Sequence, residues 1–140
     1  MADEQKRIYE GLFLFPQTVT ANLQGAVDHI QELLKRADAE VVSLSKWDER
    51  RLAYEIKGNK RGVYFLAYFH APASKLAAFE RDCNLSEQIL RAMVTRADHV
   101  PEETVRAADG RAKLADEISL RGASESAEEG QAAETSRANG

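Results

Sequence analysis

The sequence predicts an α+β sandwich, a four-stranded antiparallel sheet with two helices on one face, in the order βαββαβ. Three observations predict it. Residues 6–15 (KRIYEGLFLF) and 63–69 (VYFLAYF) are apolar on both faces, as central strands are. Residues from 40 onward alternate apolar and polar, which suits an edge strand. Between the first run and that edge strand, Val19, Leu23, Val27, Ile30 and Leu34 recur at steps of three or four, the period of an amphipathic helix.

The first strand ends at Pro16, with Ile8, Leu12 and Leu14 pointing one way and Tyr9, Phe13 and Phe15 the other. The helix spans about 18 to 37. Gly25 lies inside it and weakens it by about 1 kcal/mol relative to alanine, so tertiary packing must hold it. The second strand begins near Glu40, where Val42 and Leu44 alternate with Val41, Ser43 and Ser45. It runs through Trp47 towards Leu52, Tyr54 and Ile56, with a bend near Asp48. The turn KGNKRG follows, where Gly58, Asn59 and Gly62 tolerate positive φ. Pro72 suits a first helical turn, and Leu76, Phe79 and Cys83 mark the apolar side of a short second helix. Residues 88–96 (QILRAMVTR) make the fourth strand. Right-handed crossovers put both helices on one face and strands one and three in the centre, the ferredoxin-like arrangement.

The chain of 140 residues has room for one such domain. The expected division is a flexible N-terminus over 1–5, the folded domain over 6–100, and an acidic, largely disordered tail over 101–140. The tail holds no Trp, Tyr or Phe and carries nine acids against five bases, hence the entire net charge of −4. Its stretch 123–140 cannot bury enough surface to offset its ordering entropy. Over 102–121 a solvated tail is the favoured reading. The competing one is a transient helix offering Val105, Leu114, Ile118 and Leu120 to a partner. The body is neutral, yet Lys46, Arg50, Arg51, Lys57, Lys60 and Arg61 gather within 46–61.

No apolar run approaches the roughly 20 residues that span a bilayer, so no membrane partner is expected. The polar, acid-bearing start MADEQKR does not read as a targeting segment. The single cysteine, Cys83, suits a reducing cytosol and reads as a small core residue. His29, His70 and His99 lack metal-ligand spacing with one another or with Cys83. There is no phosphate-cradling loop. The expectation is a non-enzymatic protein with no catalytic residue, metal, cofactor or small-molecule substrate.

The stretch KRGVYFLAYF (60–69) admits a functional reading, because basic residues beside aromatics on a third strand can stack the bases of RNA. Against the pattern of such modules, Arg61, Gly62, Phe65, Leu66 and Tyr68 fit. Val63 stands where an aromatic should stack, Tyr64 fills a position normally kept small, and Glu10 follows Ile8-Tyr9 on the first strand. A central strand with Lys60 and Arg61 at its turn is the better reading.

WDERRLAYEI (47–56) is the stretch such a module leaves unexplained. It resembles the second-strand signature of the bacterial small-subunit ribosomal protein six family, Trp-Gly-x-Arg-x-Leu-Ala-Tyr-Pro-Ile. Trp47, Arg50, Leu52, Ala53, Tyr54 and Ile56 match; Asp48 replaces the usual glycine and Glu55 the usual proline. Tyr9-Glu10 resembles the family's opening Tyr-Glu, the third strand ends similarly at Ala71-Pro72, and LRAMVTR (90–96) resembles its Arg-x-Met-Val strand. The resemblance covers about residues 6–99.

It implies a cytoplasmic, structural constituent of the small ribosomal subunit. The implied partners are the central domain of small-subunit ribosomal RNA and the eighteenth small-subunit protein, bound as a heterodimer. Arg50 carries over by motif position as a phosphate contact. Lys6, Arg7, Arg51, Lys60, Arg91 and Arg96 join it on charge and placement. Trp47, Leu52 and Tyr54 are the expected partner surface, with core packing as the alternative for each. Two other readings stand beside this one. The first is a ferredoxin-like ligand-binding regulatory domain. The second is a general single-stranded RNA-binding module that stacks bases on Tyr9, Phe65 or Tyr68.

Overall fold

The computed structural model describes residues 5–120. Residues 1–4 and 121–140 lie outside them, and with these go nearly all of the expected flexible N-terminus and the second half of the expected tail. The strands are β1 (Lys6–Pro16), β2 (Glu40–Ile56), β3 (Asn59–Pro72) and β4 (Arg91–Arg96). The helices are α1 (Leu23–Arg36), α2 (Leu76–Leu85), α3 (Glu102–Ala107) and α4 (residues 111–120). The strands form one antiparallel sheet in the order β2-β3-β1-β4, so the two doubly apolar strands are central and β2 is an edge. The ferredoxin-like order βαββαβ is complete by Arg96, and α3 and α4 are additions to it.

Alternation decides which face is buried. Val63, Phe65, Ala67, Phe69 and Ala71 of β3 share one face, joined by Tyr9, Phe13 and Phe15 of β1, and all are buried. α1 covers this face with Leu23, Val27, Ile30 and Leu34, and α2 covers it with Phe79 and Cys83. Phe79 bridges the layers, meeting Phe13 and Phe69 edge-on at centroid distances of 6.2 and 5.6 Å. Burial pushes the Cys83 thiol up to about 12, so it is an inert core residue.

Two element boundaries differ from the sequence reading, each for a local reason. The expected helix over 18–37 begins as a 3-10 turn, Gln17–Asn22. Its α-helical part starts at Leu23 because the Asn22 side chain accepts the Gly25 N–H at 3.0 Å and caps it. The expected strand 88–96 pairs only from Arg91. The Ser86 hydroxyl accepts the N–H groups of Gln88 and Ile89 at 3.2 and 3.3 Å and turns the chain before it. In the β2–β3 turn Lys57 and Gly58 take the positive φ values, 50° and 80°. Gly62 instead serves close approach, since a Cβ there would overlap the Leu14 side chain and crowd the Phe15 carbonyl.

The larger difference from the sequence reading concerns residues 101–120, which form α3 and α4 and pack on the body. α3 lies on the sheet face opposite α1 and α2, where Val105 joins Tyr68, Ala97, Ile8, Val42 and Leu66 in a second apolar cluster. The chain then crosses the β2 edge at Gly110. In α4, Leu114 is buried in the main core and Ile118 packs against it. Composition concealed this. Two buried aliphatic residues and a few edge hydrogen bonds fix a segment without aromatics.

His29 of α1 holds the α2–β4 connection, its Nε2 lying 2.6 Å from Ser86 Oγ. Burial pushes its pKa below the ordinary 6.5; Glu32 opposes the shift and Arg36 adds to it. With the folded value depressed, the unfolded chain binds the extra proton first as pH falls through 6.5. Stability should therefore drop between about pH 7 and 5 in denaturant titrations. His29→Gln, which keeps a polar partner for Ser86 without a titrating ring, should flatten that slope.

Candidate nucleic-acid interface

Of the three register shifts in β2, the one at Trp47 shapes its exposed face. Lys46 pairs with Phe65 and Asp48 with Tyr64, so Trp47 is an extra residue opposite no partner. Trp47 and Arg50, three positions apart, would face opposite ways in a regular strand. The bulge resets the alternation and brings both beside Tyr64. The Arg50 guanidinium lies 4.9 Å from the Trp47 ring centroid and 5.7 Å from that of Tyr64. The two rings meet edge-on at 5.7 Å. Each cation–ring contact contributes about 0.5–1 kcal/mol at such an exposed site.

Asp48 fixes the guanidinium in place. Its Oδ2 accepts from Arg50 Nε at 2.9 Å and Nη2 at 2.6 Å. The hydrogen bond from Arg50 holds the Asp48 carboxyl below its usual range. A planar guanidinium that lies against two rings and is already presented to an oxyanion has the geometry that a phosphate contact needs.

The structure divides the seven expected phosphate contacts into two groups. Arg50, Arg51, Lys60 and Arg91 lie at the end of the sheet near the β2–β3 turn. Asp48, Tyr64, Leu14 and Arg91 form one row across the four strands, so Arg50 and Arg91 share the face opposite α1 and α2. Arg51, opposite Arg61, points the other way. Lys60 is at the turn, 3.9 Å from Glu55. Lys6, Arg7 and Arg96 lie at the far end, opposite Pro72, Ala71 and Tyr9. The register puts Gly62 and Ala71 nine residues apart, about 30 Å along β3. Arg96 is also paired, its Nε donating to Asp98 at 2.9 Å. No single surface patch therefore contains all seven.

The three expected partner residues separate as well. Trp47 is 50% exposed and Tyr54 65% exposed, so neither is core; Leu52 is buried and offers little surface. Met93, 56% exposed, lies on the open face opposite Leu12 and extends the apolar area there. The base-stacking residues of the general RNA module are not accessible. Tyr9, Phe65 and Tyr68 are all buried, and the Tyr68 hydroxyl donates to Glu10 at 3.0 Å. Sequence reasoning missed Tyr64, whose role depends on a cross-strand register that no local pattern reveals. It also missed Lys46, which pairs with Glu49 at 3.0 Å and with Glu117 of α4.

A family profile described as Ribosomal protein S6 matches residues 8–96, well over half of the chain. The chain belongs to the ribosomal protein S6 family. The small ribosomal subunit protein bS6 of Protochlamydia amoebophila is 33% identical over 104 residues, covering 74% of this chain and 91% of the relative. The bS6 of Heliobacterium modesticaldum is 37% identical over 93 residues, covering 66% of this chain and 97% of the relative. Among solved structures, the 30S ribosomal protein S6 of Thermotoga maritima matches with a TM-score of 0.62 at 22% identity. That match covers 74% of this chain and 98% of the other, and it bears on the fold alone. Membership makes the chain a structural, non-enzymatic protein of the small ribosomal subunit, with a cytoplasmic, ribosomal location. Among the described residues no helix is long and apolar enough to cross a membrane. The matched residues include the whole of β2, β3 and α2, and so the Trp47–Arg50–Tyr64 group.

Trp47→Ala should leave the fold intact, since half of the ring is already in water. Its cost in urea unfolding should fall well short of the about 3–5 kcal/mol typical of a buried aromatic truncation.

Proposed function

We propose that this S6-family chain binds the central domain of small-subunit ribosomal RNA as a heterodimer with the eighteenth small-subunit protein. Arg50 makes the principal phosphate contact. The observation that supports this reading best is the guanidinium held by Asp48 beside the Trp47 and Tyr64 rings on an exposed sheet face, within the stretch that carries the family's signature. Arg91 lies across the same face, three strand spacings or about 14 Å away, and provides a second cation for an RNA backbone running over the sheet end. Arg51 and Lys60 serve the turn side. Lys6, Arg7 and Arg96 touch RNA only if it also reaches the far end.

The protein partner takes the exposed apolar surface, Trp47 and Tyr54, while the buried Leu52 of the same stretch adds little surface. The body's balanced charge suits a protein that shares its RNA site with a more basic partner. The described residues hold no cluster of His, Cys, Asp or Glu fit for a metal, and family membership removes the reason to read the domain as a ligand sensor.

The test is binding to a central-domain RNA fragment, with and without the eighteenth protein, at two salt concentrations. Tight, salt-sensitive binding should appear only with the partner present; no binding in either condition would overturn the reading. Arg50→Ala should lower the dependence of log K on log salt by about one unit while leaving the folding transition in place. Asp48→Asn should do the opposite to affinity. Freed from its carboxylate, Arg50 should bind RNA more tightly at low salt, and equal affinity would show that Asp48 does not compete with phosphate.

A further inference from the structure

We infer that residues 101–120 are a guard strap that closes the outer edge of β2 against the same edge of a second copy of this chain. The inference is independent of how the protein meets RNA. The strap lies beyond the residues matched by the family profile, which end at 96.

The β2 edge is long and unevenly protected. Its second half is rich in charge, with Asp48, Glu49, Arg50, Arg51 and Glu55, and it is bulged at Trp47. Charges and bulges are what keep an open strand edge from pairing with another chain. Its first half, EVVSLSK (40–46), has a register shift of its own at Val42, but it has no charge between Glu40 and Lys46 and is rich in β-branched and aliphatic residues. Such a segment on an exposed edge is a pairing hazard. The opposite edge of the sheet has no such problem, because β4 is six residues long and has arginine at both ends.

The strap covers the vulnerable half. At Leu44 the outward N–H donates to Asp109 Oδ1 at 3.2 Å, and the outward carbonyl accepts the Gly110 N–H at 2.9 Å. Arg111 Nη2 donates to the Val42 carbonyl at 3.2 Å. These are the groups that a neighbouring strand would otherwise take. Burial opposes the Asp109 charge, yet Arg111 and the two backbone amides of Leu44 and Arg111 hold its carboxyl below the usual range, so it stays an acceptor. Anchors on both sides of the sheet keep the strap across the edge. Val105 sits against Val42 and Tyr68 on the open face, Leu114 enters the core on the other, and Glu117 pairs with Lys46.

Gly110 is the weak point of the closure, since a Cβ there would lie 2.8 Å from Ser45 Cβ. The experiment uses the full chain with Gly110→Val, and separately Leu114→Asp, read by amide exchange at Leu44 and by mass against concentration in sedimentation. In both variants the Leu44 amide should exchange at least about tenfold faster, and the mass should climb with concentration while the parent stays monomeric. Adding Val42→Lys to Gly110→Val should restore the monomer, because a lysine on the open edge blocks strand pairing. The inference is overturned if Leu44 stays protected in both variants, or if it opens and the protein remains monomeric. Association that Val42→Lys fails to reverse would also overturn it, since the contact then runs through another surface.

Discussion

The antiparallel pairing of β1 with β3, in register from Lys6–Pro72 to Pro16–Gly62, constrains everything else in the molecule. It aligns Tyr9, Phe13 and Phe15 with Phe69, Phe65 and Val63 on one face, and that face must be covered. α1 and α2 are amphipathic because they have this layer to meet. The same register fixes the opposite face, where Leu14, Tyr64 and Leu66 stand beside whatever the edge strands bring. A slip of one residue would exchange the two faces and expose the aromatic layer. The functional surface is thus a consequence of how the core is paired.

On that second face, a single extra residue makes the site. Without the Trp47 bulge, Arg50 and the indole would lie on opposite sides of β2, and neither Tyr64 nor Asp48 would hold the guanidinium against a ring. The signature that this stretch resembles has glycine where this chain has Asp48. A glycine eases the bulge backbone and leaves the arginine free, whereas Asp48 holds it with two hydrogen bonds to one oxygen. The substitution exchanges backbone freedom for a fixed cation. It also gives that cation an internal competitor for phosphate.

Much of this was legible in the sequence, and the reasons are specific. Strand identity and the central position of β1 and β3 follow from apolar residues on both faces, a pattern that helices and edge strands do not share. The irregularity near Asp48 follows from the length and alternation of the second strand, and the pairing with β3 places the register shift at Trp47 beside it; the WDERRLAYEI stretch carries the family resemblance. Tyr64 was not legible, because its place beside Arg50 is set by pairing across strands with an irregular register. Nor was the division of the cations into two ends, since Arg7 and Arg51 look equivalent in sequence and differ only through which ends of β3 they oppose. Residues 101–120 misled for another reason. Composition judges whether a segment can build a core of its own, while this one borrows a core and an edge that the domain has already built.

That borrowing accounts for the order of features along the strap. A segment crossing from one face of a sheet to the other must pass an edge, and it can pass only where its backbone comes close to the edge strand's backbone. Gly110 provides that approach, with Asp109 before it and Arg111 after it supplying side chains to the edge groups on either side. Val105 precedes the crossing and Leu114 follows it, so each face of the sheet retains one apolar anchor and neither alone has to hold the segment. The crossing occurs at Leu44, where β2 carries no charge and runs regularly between its register shifts at Val42 and Trp47. Beyond Lys46 the strand's own charges and irregular register take over the protection of the edge. Two different devices thus meet at one residue, and Lys46, bonded to Glu49 of the strand and Glu117 of the strap, is the side chain that joins them. Burial works against the Lys46 charge, but the hydrogen bonds it donates to both carboxylates more than offset it and raise its pKa. The joint therefore keeps its charge throughout the range in which the carboxylates are ionised.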